Sequence, residues 1–134
     1  MNIEGMETQI RAAIAKRRGE GIAIRNTAMA RSLGNYELAG GYWNSTKPEG
    51  ALCILGIFGG SDPERSAPID GVPQAALALG ISEQRASLLE AGFEGWINCD
   101  VGSSLWILGR KIGQELEDQL QLDRVQEEQA LKEG

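Results

Sequence analysis

The sequence predicts a mostly α-helical fold, a compact single-domain bundle of about five helices with long Gly/Pro loops. Apolar residues recur at helical spacing near both ends of the chain, helix-capping residues precede several segments, and glycines follow them. With 134 residues, of which 42% are hydrophobic and 24% charged, the chain has a globular composition and is long enough for one core.

The first helix is predicted from three signals. Met6, Ile10 and Ile14 stand at every fourth position, which places them on one helical face. The cationic run 16–18 falls in the last turn, where the helix dipole favours positive charge, and Gly19 then ends the helix.

The segment that follows is less regular. Thr27 is expected to cap a short helix that ends at Leu33, and residues 34–50 form an irregular connection that holds Tyr42 and Trp43. These two aromatic side chains either pin the connection to the core or form an exposed binding platform.

The run Ala51–Phe58 is continuously apolar, so periodicity alone does not distinguish a buried helix from a buried strand. Because helical segments surround it, a helix is favoured. The stretch 59–73 contains three prolines and is expected to be a surface loop.

Two further helices are marked by their ends. Pro73 occupies the first turn of one helix, which Gly80 ends. Ser82 caps another, from Glu83 to Ala91, which Gly92 ends. Both glycines are expected to adopt left-handed conformations.

The last helix is capped by Ser103 or Ser104 and passes Gly109 and Gly113 into an acidic tail. The domain prediction is therefore a globular helical domain over residues 1–113 and an acidic helical extension over residues 114–134 that frays at its end. The apolar stripe of this helix consists of Leu105, Leu108, Ile112, Leu116 and Leu120. The predicted core residues are Leu55, Leu79, Leu89, Phe93, Trp96, Leu105, Trp106 and Leu108.

Charge is distributed unevenly along the chain, whose net charge is −6. Residues 1–31 carry six basic and three acidic side chains, a balance of +3, whereas residues 114–134 carry two basic and seven acidic ones, a balance of −5. A basic head and an acidic tail can pair within one molecule, pair between molecules, or bind separate partners.

The cysteine pattern indicates a reducing, cytoplasmic compartment. Cys53 and Cys99 lie far apart in apolar surroundings and are expected to be buried thiols, although a disulfide between them stays open. The N-terminus does not read as an export signal, and no apolar run approaches the ~20 residues that span a bilayer, so no membrane contact is expected.

No catalytic, cofactor-binding or metal-binding residue is predicted, and an enzyme is disfavoured. The chain has no histidine to activate a thiol. Asn98 and Asp100 suggest a calcium loop, but Gly102 and Gly109 stand at loop positions five and twelve, where that loop needs carboxylates.

Residues 74–90 have the spacing of a helix-turn-helix motif, with Ala76, Gly80 and Ala86 at the positions where two helices must approach closely. The second helix would also expose Glu83 and Glu90, which repel phosphates and disfavour DNA. In this alternative the DNA-binding residues are Ser82, Gln84, Arg85 and Ser87.

The chain resembles small uncharacterised bacterial and phage proteins. The resemblance rests on the Cys-x-Leu-Gly block at residues 53–56 and the Gly-Phe-Glu-Gly turn at residues 92–95, and it covers residues 6–110. Glu94 stands where an aspartate is expected. The resemblance implies a compact helical domain and transfers no catalytic residue.

Together these patterns predict a small, acidic, non-enzymatic binding or regulatory module that acts through protein–protein contacts or self-association, without a cofactor. The predicted partner-binding residues are Tyr42, Trp43, Leu116, Leu120 and Glu117.

Overall fold

The computed structural model describes residues 2–32, 51–58 and 71–133, and these residues form a mostly helical fold, as predicted. In chain order, the elements are α1 (Ile3–Gly19), β1 (Ala23–Ile24), α2 (Thr27–Ser32), β2 (Ala51–Leu52), α3 (Val72–Leu79), α4 (Glu83–Glu94) and α5 (Ser104–Glu133). The described ranges thus hold five helices. The predictions for residues 33–50 and 59–70 lie outside them.

Helix α1 forms as its sequence predicts. The side-chain oxygen of Asn2 accepts a hydrogen bond from the backbone nitrogen of Gly5 at 2.7 Å and so caps the first turn. Met6, Ile10 and Ile14 are buried along one face. This apolar face directs α1 toward α5 and the core.

Helix α2 is capped by Asn26, so the predicted cap at Thr27 is wrong. The Asn26 side-chain oxygen accepts from the Met29 backbone nitrogen at 2.9 Å, and its amide nitrogen donates to the carbonyl oxygen of Phe93 at 3.0 Å. An asparagine carries both a donor and an acceptor, which lets it cap α2 and bond α4 while it is buried.

The apolar run that begins at Ala51 is not a helix, which corrects the favoured prediction. Its first two residues form β2, which pairs with β1 in parallel, and the chain then turns over residues 54–58. The turn contains a hydrogen bond of 3.0 Å from the Gly56 nitrogen to the Cys53 carbonyl oxygen. Pairing with β1 satisfies backbone groups that a helix would otherwise satisfy internally.

Helices α3 and α4 begin as predicted, but α4 ends later. Gly80 ends α3 with a φ of 68°, and the Ser82 hydroxyl oxygen accepts from the Arg85 nitrogen at 3.2 Å. The predicted end of α4 at Gly92 is wrong, because α4 continues to Glu94 and the left-handed residue is Gly95, with a φ of 80°.

Gly92 instead permits α4 and α5 to cross with their backbones almost in contact. A Cβ atom at Gly92 would collide with the carbonyl oxygen of Trp106, and one at Gly109 would collide with that of Leu89. A Cβ atom at Gly113 would also meet the backbone of α4. We call this contact the glycine crossing.

The core lies where α1, α3, α4 and the segment after β2 meet the first half of α5. Six of the eight predicted core residues are buried. Trp96 is the clear exception, with 48% of its surface exposed, and Trp106 is half-buried. The principal core residues are Met6, Ile10, Ile54, Leu55, Leu79, Leu89, Phe93, Leu105, Leu108 and Ile112.

Candidate protein-binding surface

Helix α5 divides into a packed half and an exposed half. Its predicted stripe is buried from Leu105 to Leu116, whereas Leu120 is only half-buried. Every residue from 121 to 133 is exposed. We call residues 121–133 the exposed end of α5; at about 1.5 Å per residue it is roughly 20 Å long.

The exposed end is not purely polar. The exposed fractions of Leu122, Val125 and Leu131 are 56%, 40% and 82%. Arg124 contacts the hydroxyl group of Ser32 in α2. No hydrogen bond or ion pair joins residues 125–133 to any other described part of the chain.

Charged side chains join α1 to the packed half of α5. Glu7 bonds Lys111 at 3.1 Å and Arg11 at 2.9 Å, and Arg11 reaches both carboxylate oxygens of Glu115, at 2.9 and 3.1 Å. The hydrogen bonds from Arg11 and Lys111 lower the pKa of Glu7. Arg11 follows Glu7 by four residues, and its partner Glu115 follows Lys111 by four residues, so the two helices run in the same direction.

Next to these ion pairs, α1 and α5 border a groove of about 510 Å³. Its floor is apolar and is formed by Ile14, Ile112 and Leu116, each of which is buried. Polar side chains form the walls, and among them Arg18 is exposed. The complete lining is Arg11, Ile14, Ala15, Arg18, Ile112, Glu115, Leu116 and Gln119. We call it the α1–α5 groove.

A second group of charged side chains lies at the C-terminal end of α4 and consists of Glu94, Arg110 and Glu117. A carboxylate oxygen of Glu94 accepts a hydrogen bond of 2.8 Å from the backbone nitrogen of Thr27, at the start of α2. Burial raises the pKa of Glu94, and the bonds from Thr27 and the nearby charge of Arg110 oppose this shift only in part. Arg110 also pairs with Glu117. These groups tie together α2, α4 and α5.

The predicted partner-binding residues therefore have different surroundings. Leu116 is buried at the floor of the groove, Leu120 is half-buried against the core, and Glu117 is paired with Arg110. The structure brings these three residues onto the middle of α5. Tyr42 and Trp43 lie outside the described residues.

The residues of the DNA-binding alternative lie on one turn-and-helix surface. Ala86 is fully buried between the helices, as the motif requires, whereas Glu90 is buried rather than exposed. A buried Glu90 removes one carboxylate from that surface but leaves Glu83 exposed there. All four residues predicted to bind DNA in this alternative are exposed: Ser82, Gln84, Arg85 and Ser87.

Four large apolar side chains in the loop between α4 and α5 and in the first turn of α5 are exposed, and sequence reasoning missed this. Trp96, Ile97, Val101 and Ile107 are exposed by 48%, 79%, 43% and 53%. The ring nitrogen of Trp106 donates a hydrogen bond to the carbonyl oxygen of Trp96 at 2.8 Å. This bond holds the backbone of the loop against α5, while the Trp96 side chain is partly exposed to solvent. The size and hydrophobicity of Trp96 predicted burial, whereas Asn98, Asp100 and Gly102 in the same segment are turn residues that indicate a surface loop.

The two cysteines are both free, and they differ in exposure. Cys53 is buried as predicted, and burial raises the pKa of its thiol to about 12. The prediction that Cys99 is buried is wrong, because its side chain lies in the exposed loop between α4 and α5. Burial therefore suppresses the reactivity of one thiol only.

Within residues 2–32, 51–58 and 71–133, no group of three or more potential metal-ligating side chains converges. Nor does this part of the chain contain a helix with the length and hydropathy to cross a membrane. Comparison of the chain with protein-family models, with curated proteins and with solved structures finds no match.

Proposed function

We propose that this protein is a small, non-enzymatic binding or regulatory module that acts through protein–protein contacts, with the exposed end of α5 as its contact element. The observation that carries the proposal is the difference between the two halves of α5. The leucine and isoleucine stripe of the packed half is buried from Leu105 to Leu116, and the exposed end presents apolar side chains among charges. A helix that presents apolar side chains to solvent is a common peptide-recognition element.

The exposed end combines the features that helix recognition uses. Leu120 and Leu131 lie on the face of α5 that continues from Leu116, because the intervening steps are multiples of helical spacing. Asp123 and Glu127 lie on the same face. A partner with an apolar strip beside basic residues would match this face.

Removal of the exposed end tests the proposal. A chain that ends after Leu120 keeps Leu116 and the Glu115 pair with Arg11, so it is expected to fold. Full-length and shortened chains are immobilised, and the proteins that they retain from the source cell are identified by mass spectrometry. We expect at least one stoichiometric partner, or the chain itself, to be retained by the full-length protein alone. Identical retention by both chains would contradict the proposal.

DNA binding through α3 and α4 is the second candidate, and the burial of Ala86 below an exposed Arg85 favours it. Fluorescence anisotropy of a labelled random DNA duplex at low salt tests it, since non-specific binding is strongest there. Affinity that disappears in Arg85→Glu would support this candidate. Absence of binding at low salt would eliminate it.

A further inference from the structure

We propose that the α1–α5 groove accepts the exposed end of α5 from a second copy of this chain. The proposal rests on the proposed function and names its partner. Three observations carry it: the composition of the groove, the composition of the exposed end, and the geometry that prevents one copy from filling its own groove.

The groove and the exposed end are complementary in charge and hydropathy. Arg18 is exposed beside an apolar floor that includes Ile14, whereas Arg11 is already paired with Glu115. The exposed end brings Glu127 and Leu131 along one helical face, one turn apart. The leucine matches the floor, and the carboxylate of Glu127 matches Arg18.

A single copy cannot make this contact. The groove is lined by α5 itself, through Ile112, Glu115, Leu116 and Gln119. Since α5 is a continuous helix from Ser104 to Glu133, its end leads away from its own groove. The end could return only if the helix broke, so the occupant is another molecule.

Exchange between two copies also closes symmetrically. If the end of one α5 lies antiparallel along the middle of the other, the reverse contact forms at the same time. Each copy then gives one end and accepts one end, which is the isologous arrangement of a twofold dimer. The half-buried Leu120 lies near the centre of such a contact.

Charge reversal and its rescue test the pairing. The full-length chain is compared with Arg18→Glu, with Glu127→Arg, and with the variant that carries both changes. Arg85→Glu, at an exposed position on α4, controls for the change in net charge. All are examined by sedimentation equilibrium over the micromolar range, with circular dichroism to verify folding.

We expect the parent chain and Arg85→Glu to be dimeric. Each single change at Arg18 or Glu127 should raise the dimer dissociation constant by about tenfold or more, and the double change should recover most of this loss. The chain that ends after Leu120 should be monomeric throughout.

A monomeric parent chain, or an Arg18→Glu variant as dimeric as the Arg85→Glu control, would overturn the proposal. Its failure is distinguishable from that of the proposed function. If the parent is monomeric but the full-length chain alone retains a different protein, the exposed end is a contact element and only its occupant is wrong. If shortening the chain changes neither its oligomeric mass in sedimentation nor the set of proteins that it retains, both the dimer proposal and the proposed function fail.

Discussion

The two halves of α5 belong to one continuous helix, but tertiary packing holds only the first of them. In the packed half, Gly109 and Gly113 bring the backbone against α4, and Leu105 and Ile112 are buried. In the exposed end, leucines of the same kind face solvent. Helical periodicity continues through both halves, so periodicity reports helix formation, whereas burial depends on which elements lie alongside.

The largest expected effect comes from filling the glycine crossing. Gly92→Ala places a methyl group against the backbone carbonyl of Trp106, which has no rotamer to change. We expect a loss of about 4 kcal/mol or more in the free energy of unfolding, or failure to fold. Chemical denaturation measures it.

Gly19→Ala is the matched control, since Gly19 is also helical and a Cβ atom there meets nothing within 4 Å. It is expected to stabilise the protein by up to about 1 kcal/mol, because alanine has the higher helix propensity. Equal effects of the two substitutions would show that the helices do not cross closely.

The next effect compares one residue type in the two halves. Leu105 is fully buried and Leu131 is 82% exposed. Leu105→Ala should cost about 2–5 kcal/mol, whereas Leu131→Ala should change the stability by less than about 0.5 kcal/mol at concentrations where the chain is monomeric. Thermal or chemical unfolding at low protein concentration gives both values. A large loss in Leu131→Ala under these conditions would place Leu131 within the core of a single copy.

A smaller effect distinguishes two carboxylates that adjoin α5. The raised pKa of Glu94 means that the folded protein favours the protonated carboxyl group. The stabilisation that Glu94 contributes to the folded state is therefore fully present below pH 4.5 and is lost as the pH rises through the raised pKa. Glu94→Gln keeps an acceptor for the Thr27 nitrogen, so it should be more stable than the parent near neutral pH and similar to it at about pH 4. The pKa of Glu7 is lowered, so its effect on stability has the opposite pH dependence. The stabilisation that the Glu7 carboxylate contributes is present above pH 4.5 and is lost as the pH falls through the lowered pKa.

Unfolding titrations of Glu94→Gln and Glu7→Gln across this pH range should therefore diverge from the parent in opposite directions. Parallel curves would contradict the assigned environments of the two carboxylates.

The smallest perturbation is labelling of the thiols. In the native protein, Cys99 should react rapidly with a thiol reagent, and Cys53 should react only after unfolding, because the Cys53 thiol is buried and its pKa is raised to about 12. The count of labelled thiols should rise from one to two with denaturant. Rapid labelling of both in the native state would show that the segment after β2 is open.

The sequence predicted those features that local chemistry determines. Ser82 and Gly80 mark the boundaries between α3 and α4, and the leucine stripe predicted α5. Gly92 was misassigned because a glycine serves equally as a helix end or as a close approach, and only the position of α5 decides between them.

Tertiary context likewise decided the residues that sequence reasoning placed wrongly. The run from Ala51 lies beside β1 and so became a strand and a turn. Trp96 and Cys99 are exposed, and Cys99 stands between the polar residues Asn98 and Asp100. Of the candidate site, the sequence predicted the acidic helical tail. It did not predict the groove, because Arg18 and Leu116 are brought together only when α1 packs beside α5.

Hydrogen exchange along α5, followed by mass spectrometry at a series of protein concentrations, tests the central claim most directly. Amides of residues 107–116 should be protected at every concentration, since they are bonded within the helix and the glycine crossing and core hold them. Amides of residues 125–133 should exchange rapidly in dilute protein and become protected as the concentration rises and the ends dock. Protection of both halves that is equal and independent of concentration would contradict the division of α5 into a structural half and a binding half.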